Sequence, residues 1–351
     1  MAPRRGRARA AARLTPPAQA RRPVGGPGRR AFCLALAAGL ARPSLGAAEA
    51  GPGRAPAAPI ALPPAAYSAG ALRPLGALAL DTAAIGFGGL SGLHLDAALQ
   101  LTAVSDLGRH LTARLVLGED GAPLGLDGLR TGRLRDGSGA PLPRGYAADA
   151  EALARLADGT WLVAFERWHR IRAYPRGLDG PGGYVAAPPG LERAPRNAGL
   201  EALAVLADGR WLAVAEGLAP PGAPALRRAW IGAPGHWTPL AYRPGASELD
   251  PADAAPLPDG GALVLERSFS LLDGFRGRLV RIPAAALAAP HPETVLEGEA
   301  LLRLEPPLPT DNWEGVAAAR IGGRTLVALV SDDNESPLQR TLLLLFALDG
   351  V

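Results

Sequence analysis

The segment Glu151–Glu166, EALARLADGTWLVAFE, recurs almost unchanged at Glu201–Glu216 as EALAVLADGRWLAVAE. In each copy an apolar run meets Asp-Gly (Asp158-Gly159, Asp208-Gly209) and a second apolar run follows, the pattern of two antiparallel strands joined by a tight turn. Residues equidistant from a two-residue loop oppose one another, so this reading sets Glu151 against Glu166 and Glu201 against Glu216. Opposed side chains in an antiparallel pair lie roughly 5 Å apart at Cβ, where like charges repel. A cation or a shared proton is therefore expected between them.

Fainter copies follow the same rule: Asp253 and Glu266 about Asp259-Gly260, Glu314 and Ser331 about Gly322-Gly323, and a polar version from Ser91 to Asp106. The first-strand anchors at 91, 151, 201, 253 and 314 are 50 to 61 residues apart. Strands and turns repeating at about 40 to 60 residues mark propeller blades, not a helical solenoid. The expected fold is all-β, a single β-propeller, with six blades the foremost count and five or seven also open. Further strands are expected at Leu111–Leu117, Arg170–Tyr174, Gly277–Pro283 and Arg340–Leu348, and a short helical turn at Ala284–Ala289. Trp161 and Trp211, recurring at one position after Asp-Gly, are expected in the core.

Charge divides the chain. Ten of the 37 basic residues, all arginine, but only one of the 33 acidic residues fall within the first 50, so the remainder carries 27 basic and 32 acidic residues, net −5. A basic nucleic-acid-binding body is thereby excluded as the expectation. Arg29-Arg30-Ala31-Phe32, followed by the apolar run Cys33–Leu40 and a small-residue site at Ala48-Glu49-Ala50, reads as a twin-arginine export signal. The apolar run is too short to span a bilayer. The expected organisation is a leader at 1–50, a Pro/Ala/Gly linker at 51–66 and the propeller at 67–351. The mature protein is expected in the periplasm or secreted, without stable membrane insertion. Cys33, the only cysteine, would leave with the signal, so neither a disulfide nor a thiol nucleophile is expected.

In a propeller the open ends of successive inner hairpins gather at one channel mouth. Glu166, Glu216, Asp253, Glu266, Asp333 and Asn334 are the candidate metal ligands there. Oxygen donors without clustered His or Cys suit Ca²⁺ and argue against zinc. Glu151, Glu201, Glu314, His169 and Asp332 are the candidates for catalysis, and Arg167, Arg267, Asn197 and Ser91 for substrate binding. Carboxylates repeated once per blade can equally hold blades together, accepting backbone N–H bonds or pairing with Arg167 and Arg267. His169 and Ser331–Glu335 break the repeat, and chemistry needs asymmetry. Gly89-Leu90-Ser91-Gly92-Leu93 lacks the last glycine of a nucleophile elbow, and neither a Lys-containing phosphate loop nor a His-Glu-x-x-His helix occurs.

Gly89–Leu93, Asp149–Leu153, Asn197–Leu203, Leu265–Phe269, Asn312–Val316 and Ser331–Asn334, taken in order, resemble the motifs of the phytase-like family described by an esterase-like activity of phytase. Where that family has Glu-Gly this chain has Glu-Ala, at Glu151 and Glu201. The resemblance implies an exported β-propeller hydrolysing phosphate or carboxylic esters of small molecules; the oxygen-rich carboxylate set, independently of it, makes calcium-assisted attack by water the expected chemistry. A non-catalytic propeller that binds a ligand or partner protein, and a lactonase-like sugar-acid hydrolase, are the alternatives.

Overall fold

The computed structural model describes residues 55–67, 71–336 and 338–349. The twin-arginine segment, Cys33 and the cleavage site lie outside the described residues.

Five antiparallel sheets form five blades. Blade 1 comprises β3 (Leu90–Leu95), β4 (Gln100–Ser105), β5 (Arg109–Leu117) and β6 (Pro123–Arg133) from the axis outward. Blade 2 holds β7 (Ala150–Arg155), β8 (Trp161–Phe165), β9 (Arg170–Tyr174) and β10 (Gly183–Val185). Blade 3 holds β11 (Leu200–Val205), β12 (Trp211–Ala215), β13 (Arg227–Ala233) and β14 (His236–Tyr242), with β18 (Val295–Leu296) added parallel to β14. Blade 4 holds β15 (Asp250–Pro256), β16 (Ala262–Ser270), β17 (Gly274–Ile282) and β19 (Glu299–Leu304).

Blade 5 joins the two ends of the described chain. Its inner strands β20 (Asn312–Ile321), β21 (Arg324–Asp332) and β22 (Leu342–Leu348) are completed by β2 (Leu72–Leu80) and β1 (Ala57–Ile60). Leu72 pairs with Leu348 and Ala79 with Leu342. The chain outside the five hairpins, which could have furnished a sixth blade, is used for this closure. Within 51–66, read as a linker, residues from 55 on are described and include β1. Ala57–Ile60 covers what would otherwise be the bare edge of β2, and Leu62 and Ala66 are buried beside it.

The apolar strands bury five clusters, one between each pair of neighbouring blades and one between blades 5 and 1. Five sheets with five filled interfaces make a closed ring with no unfilled gap. Trp211 is buried as expected, whereas Trp161 is half-buried, edge-on to His94 at 4.9 Å. The inner strands run so close that the axis is not an open tube. A Cβ on Gly92 would lie 2.4 Å from the Leu153 nitrogen, and one on Gly315 would lie 2.2 Å from the Ser91 carbonyl oxygen. Beyond this constriction lies a cavity of about 50 Å³, lined by Leu93, Leu153, Leu203, Ala254 and Ala317 among others. Among the described residues no helix is long and apolar enough to cross a membrane.

Two local features set the register. Asp158-Gly159 and Asp208-Gly209 do not close two-residue loops. Leu156 N–H bonds Thr160 C=O and Gly159 N–H bonds Leu156 C=O, with Gly159 at φ +89°, which is a three-residue loop with glycine in the left-handed position. Asp259-Gly260 behaves likewise, whereas Gly322-Gly323 does close a two-residue loop between Ile321 and Arg324, both glycines at positive φ. In addition, every inner strand carries a bulge near its start, at Ser91-Gly92, Glu151, Glu201, Ala252 and Glu314. The expected face-to-face pairs are therefore displaced. Glu166 N–H bonds Asp149 C=O, so the residue across from Glu166 is Asp149; Glu216 meets Gly199 in the same way, and Trp313 takes the place opposite Ser331.

Candidate active site at the channel mouth

The mouth lies where the inner strands begin. One carboxylate oxygen from each of Asp149, Glu151 and Glu166 lies within 4.8 Å of the other two, and the same holds for Glu166, Glu201 and Glu216. Glu166 belongs to both groups, so five carboxylates from blades 2 and 3 form one continuous acidic pocket. All five are buried. Their assembly follows from the repeat: β7 and β11 begin, and β8 and β12 end, at the same height in adjacent blades. Asp149 is the member that the repeat did not reveal. It stands two residues before Glu151, but only the loop and bulge shifts bring it across from Glu166.

Cations flank the pocket. Arg167, at φ +55°, places its Nε 2.8 Å from Asp149 Oδ2, and Arg267 donates from Nε to Glu314 Oε2 at 2.9 Å and from Nη2 to Glu216 Oε1 at 3.4 Å. Arg267 thereby links the blade 3 carboxylates to blade 5. There Asn312 Nδ2 donates to Glu314 Oε1 at 2.8 Å and to Asp332 Oδ2 at 3.4 Å, and Asn334 N–H donates to Asp332 Oδ1 at 2.8 Å. Burial, then the nearby Asp106 and Glu314, push the Asp332 carboxyl well above the usual carboxylate range. Asp333 turns outward from this group and accepts the Gly89 N–H at 3.2 Å, while Asn334 donates from its amide to Gln339.

Two of the candidate ligands are engaged elsewhere. Asp253 accepts N–H bonds from Val316 at 2.9 Å, Ala254 at 2.8 Å and Leu93 at 3.4 Å, so one buried side chain ties blades 4, 5 and 1 together. Burial outweighs those three donors and raises its pKa well above the ordinary value. Glu266 accepts from the Tyr242 hydroxyl and from Gly245 N–H at 3.1 Å, and Arg278 Nε lies 3.3 Å away. Its carboxyl is also raised, by burial first. Both residues have the blade-holding arrangement.

His169 packs on the third blade: a Cβ on Gly199 would lie 2.3 Å from its Nδ1, and the Gly199 N–H donates to Glu166 Oε1 at 3.4 Å. Glycine there lets the imidazole approach the backbone that touches the acidic pocket. Ser91 is buried at the blade 1 bulge, and Asn197 is half-buried two residues before Gly199.

The pocket fits a hard cation. Its donors are all carboxylate oxygens, and oxygens on opposite sides of one Ca²⁺ lie up to about 5 Å apart, twice the usual Ca–O distance, which accommodates the 4.8 Å spread. Neither group includes a histidine or cysteine.

Fold and pocket define a class, a five-bladed propeller with buried carboxylates at one mouth. The chain matches the phytase-like family, described by an esterase-like activity of phytase, over residues 85–335, and belongs to it. That match spans every motif on which the resemblance rested. No curated protein shows significant sequence similarity to the chain. Solved structures similar to it include an α-L-arabinofuranosidase from Podospora anserina, 13% identical with a TM-score of 0.47 over 78% of this chain and 94% of that one. A gluconolactonase from Xanthomonas campestris is 15% identical, TM-score 0.37, over 84% and 96%. A virginiamycin B lyase from Staphylococcus aureus is 8% identical, TM-score 0.36, over 73% of this chain and 65% of that one, so the chain spans less than two thirds of the lyase's length. Similarity at this level carries no argument about activity.

Proposed function

We propose that the chain is an exported ester hydrolase, acting on small phosphate or carboxylic esters at the acidic mouth with the help of bound calcium. The observation that carries this reading is the buried five-carboxylate pocket joined at Glu166. Concentrating like charges out of water is unfavourable unless cations or shared protons accompany them. Asp149, Glu151 and Glu166, or Glu166, Glu201 and Glu216, would hold an ion. Calcium, when bound, would polarise the ester oxygen and make a bound water more acidic.

The protein's own groups would do the rest. Glu314, paired with Arg267 at 2.9 Å, can take a proton from the attacking water. Asp332, whose carboxyl is pushed above the usual range by burial and by the neighbouring Asp106 and Glu314, is the group suited to return one to the leaving oxygen. Arg167 and Arg267 orient both the acidic wall and an incoming ester oxygen. With a net charge of −5 outside the leader, the mouth would repel a phosphate ester unless a cation bridged the two, so phosphate hydrolysis is expected to be strictly calcium-dependent.

Calcium titration of the purified protein tests this, following melting temperature together with hydrolysis of a chromogenic phosphate and a chromogenic acetate. The expected result is calcium-dependent stabilisation with turnover of at least one ester, the ratio ranking phosphate against carboxylic ester. Stabilisation without turnover would favour the ligand-binding propeller. That second reading draws on Arg267, which spans Glu216 and Glu314 as a purely structural clamp also would. No response of either kind would sink the metal pocket.

A further inference from the structure

Large exposed apolar side chains are unevenly placed. Seven occur among the described residues, and five of them (Tyr146, Trp168, Leu271, Leu272 and Leu338) sit on connections at the face where the acidic mouth opens. Tyr184 lies on the outer strand of blade 2, and Leu124 is at the far face. An apolar rim around a charged pocket marks a surface that meets something other than water.

Trp168 is the most constructed of these. It follows Glu166 and Arg167 in the β8–β9 turn, and its N–H bonds the Glu166 C=O at 2.5 Å. Behind it lies Arg170, itself only 5% exposed. The Arg170 guanidinium is 4.1 Å from the Phe165 ring centroid and 4.7 Å from that of Trp168, and it donates to the carbonyls of Trp168 and Ala147. Tyr184, 5.9 Å from Trp168 and tilted by 53°, is backed the same way by buried Arg172 at 4.1 Å. Two aromatic rings are thus fixed from behind by buried cations while staying 45% and 60% exposed. Ring orientation held in this way is the preorganisation a stacking surface requires.

We infer that Trp168, supported by Tyr184, is a stacking platform for an uncharged ring of the ligand, an aryl group or the apolar face of a sugar, whose reacting ester reaches the carboxylates beside Glu166. The charge pattern selects neutrality. A guanidinium behind each ring draws on its π density and disfavours a second cation in front, and the carboxylate pocket disfavours an anion. The part of the ester that stacks on Trp168 is therefore an uncharged ring, whichever type of ester the molecule carries. For the reacting part the inference rests on the ester-hydrolase reading; ring binding is separable from it.

The test uses the full protein with Trp168→Ala, Trp168→Phe and Tyr184→Ala. Binding of two unreactive rings, benzyl alcohol and methyl glucoside, is measured by calorimetry, and phenyl acetate is compared with ethyl acetate in kinetics. One ring is expected to bind the wild type, about tenfold more weakly in Trp168→Ala and with recovery in Trp168→Phe, which preserves a ring on Arg170. KM for phenyl acetate should rise by a similar factor with kcat unchanged, and ethyl acetate should be indifferent. The ring that binds separates an aryl ligand from a sugar. Trp168-dependent ring binding with no ester turned over would support the platform and defeat the hydrolase. Absence of binding by either ring, or binding unaffected in Trp168→Ala, would overturn the platform whatever the turnover.

Discussion

Asn312 gives one amide nitrogen to two carboxylates, and their surroundings divide them. Glu314 has the Arg267 guanidinium against it, while Asp332 has burial, Asp106 and Glu314 itself opposing ionisation. The native pKa of Asp332 is thus raised above its unfolded value of about 3.8. Its contribution to stability is therefore fully present below about pH 3.8 and is lost as pH rises through the raised native pKa, at about 1.4 kcal/mol for each unit of difference. Asp332→Asn should keep the Asn312 contact, lose any activity that needs the proton, and be at least as stable as the wild type at pH 7. Chemical denaturation at pH 4, 5.5 and 7 should show a flatter dependence in the variant; an unchanged slope would mean that Asp332 is not the buried acid.

Strand-level features explain how much of this was readable. The strands at Arg170–Tyr174, Gly277–Pro283 and Arg340–Leu348, and the helical turn now seen at Ala284–Ala288, were legible because alternation, proline and local composition act within a few residues. Register was not. Asp-Gly suits both a two-residue loop and a three-residue loop ending in left-handed glycine, and bulges leave no residue signature of their own. Repetition exposed Glu151, Glu166, Glu201 and Glu216 as one set, while Asp149 needed the register and Trp168 needed the buried Arg170 behind it. The roles of Asp253 and Glu266 depend on contacts with Val316, Leu93, Tyr242 and Gly245, far away in sequence. Gly315 is a direct test of the close inner ring. An alanine Cβ would meet the Ser91 carbonyl, so Gly315→Ala should destabilise by about 1–3 kcal/mol or more, seen as a lowered denaturation midpoint. A midpoint equal to the wild type would show that blades 5 and 1 can separate at no cost.

Across the whole molecule, closure depends on residues near both ends of the described chain. β2 pairs with β22, and the cluster between blades 5 and 1 draws on both. A chain ending at residue 340 would lose β22, strand β2 and β21 from one another, and expose the apolar faces of Leu78, Leu329 and Phe346's former neighbours. It is expected to lose cooperative unfolding and become protease-sensitive, whereas a truncation after 348 should unfold like the full chain. Equal cooperativity in the two would show that four blades suffice. The same pairing has a consequence during synthesis. While translation is still in progress, Leu72 has no Leu348 to join, and the strands that bear Asn312, Glu314 and Asp332 have just emerged or are still to come. Ring closure therefore waits for β22, so a nascent chain that has not yet reached Leu348 holds the carboxylates of blades 2 and 3 in an open arc that the last strand has still to lock.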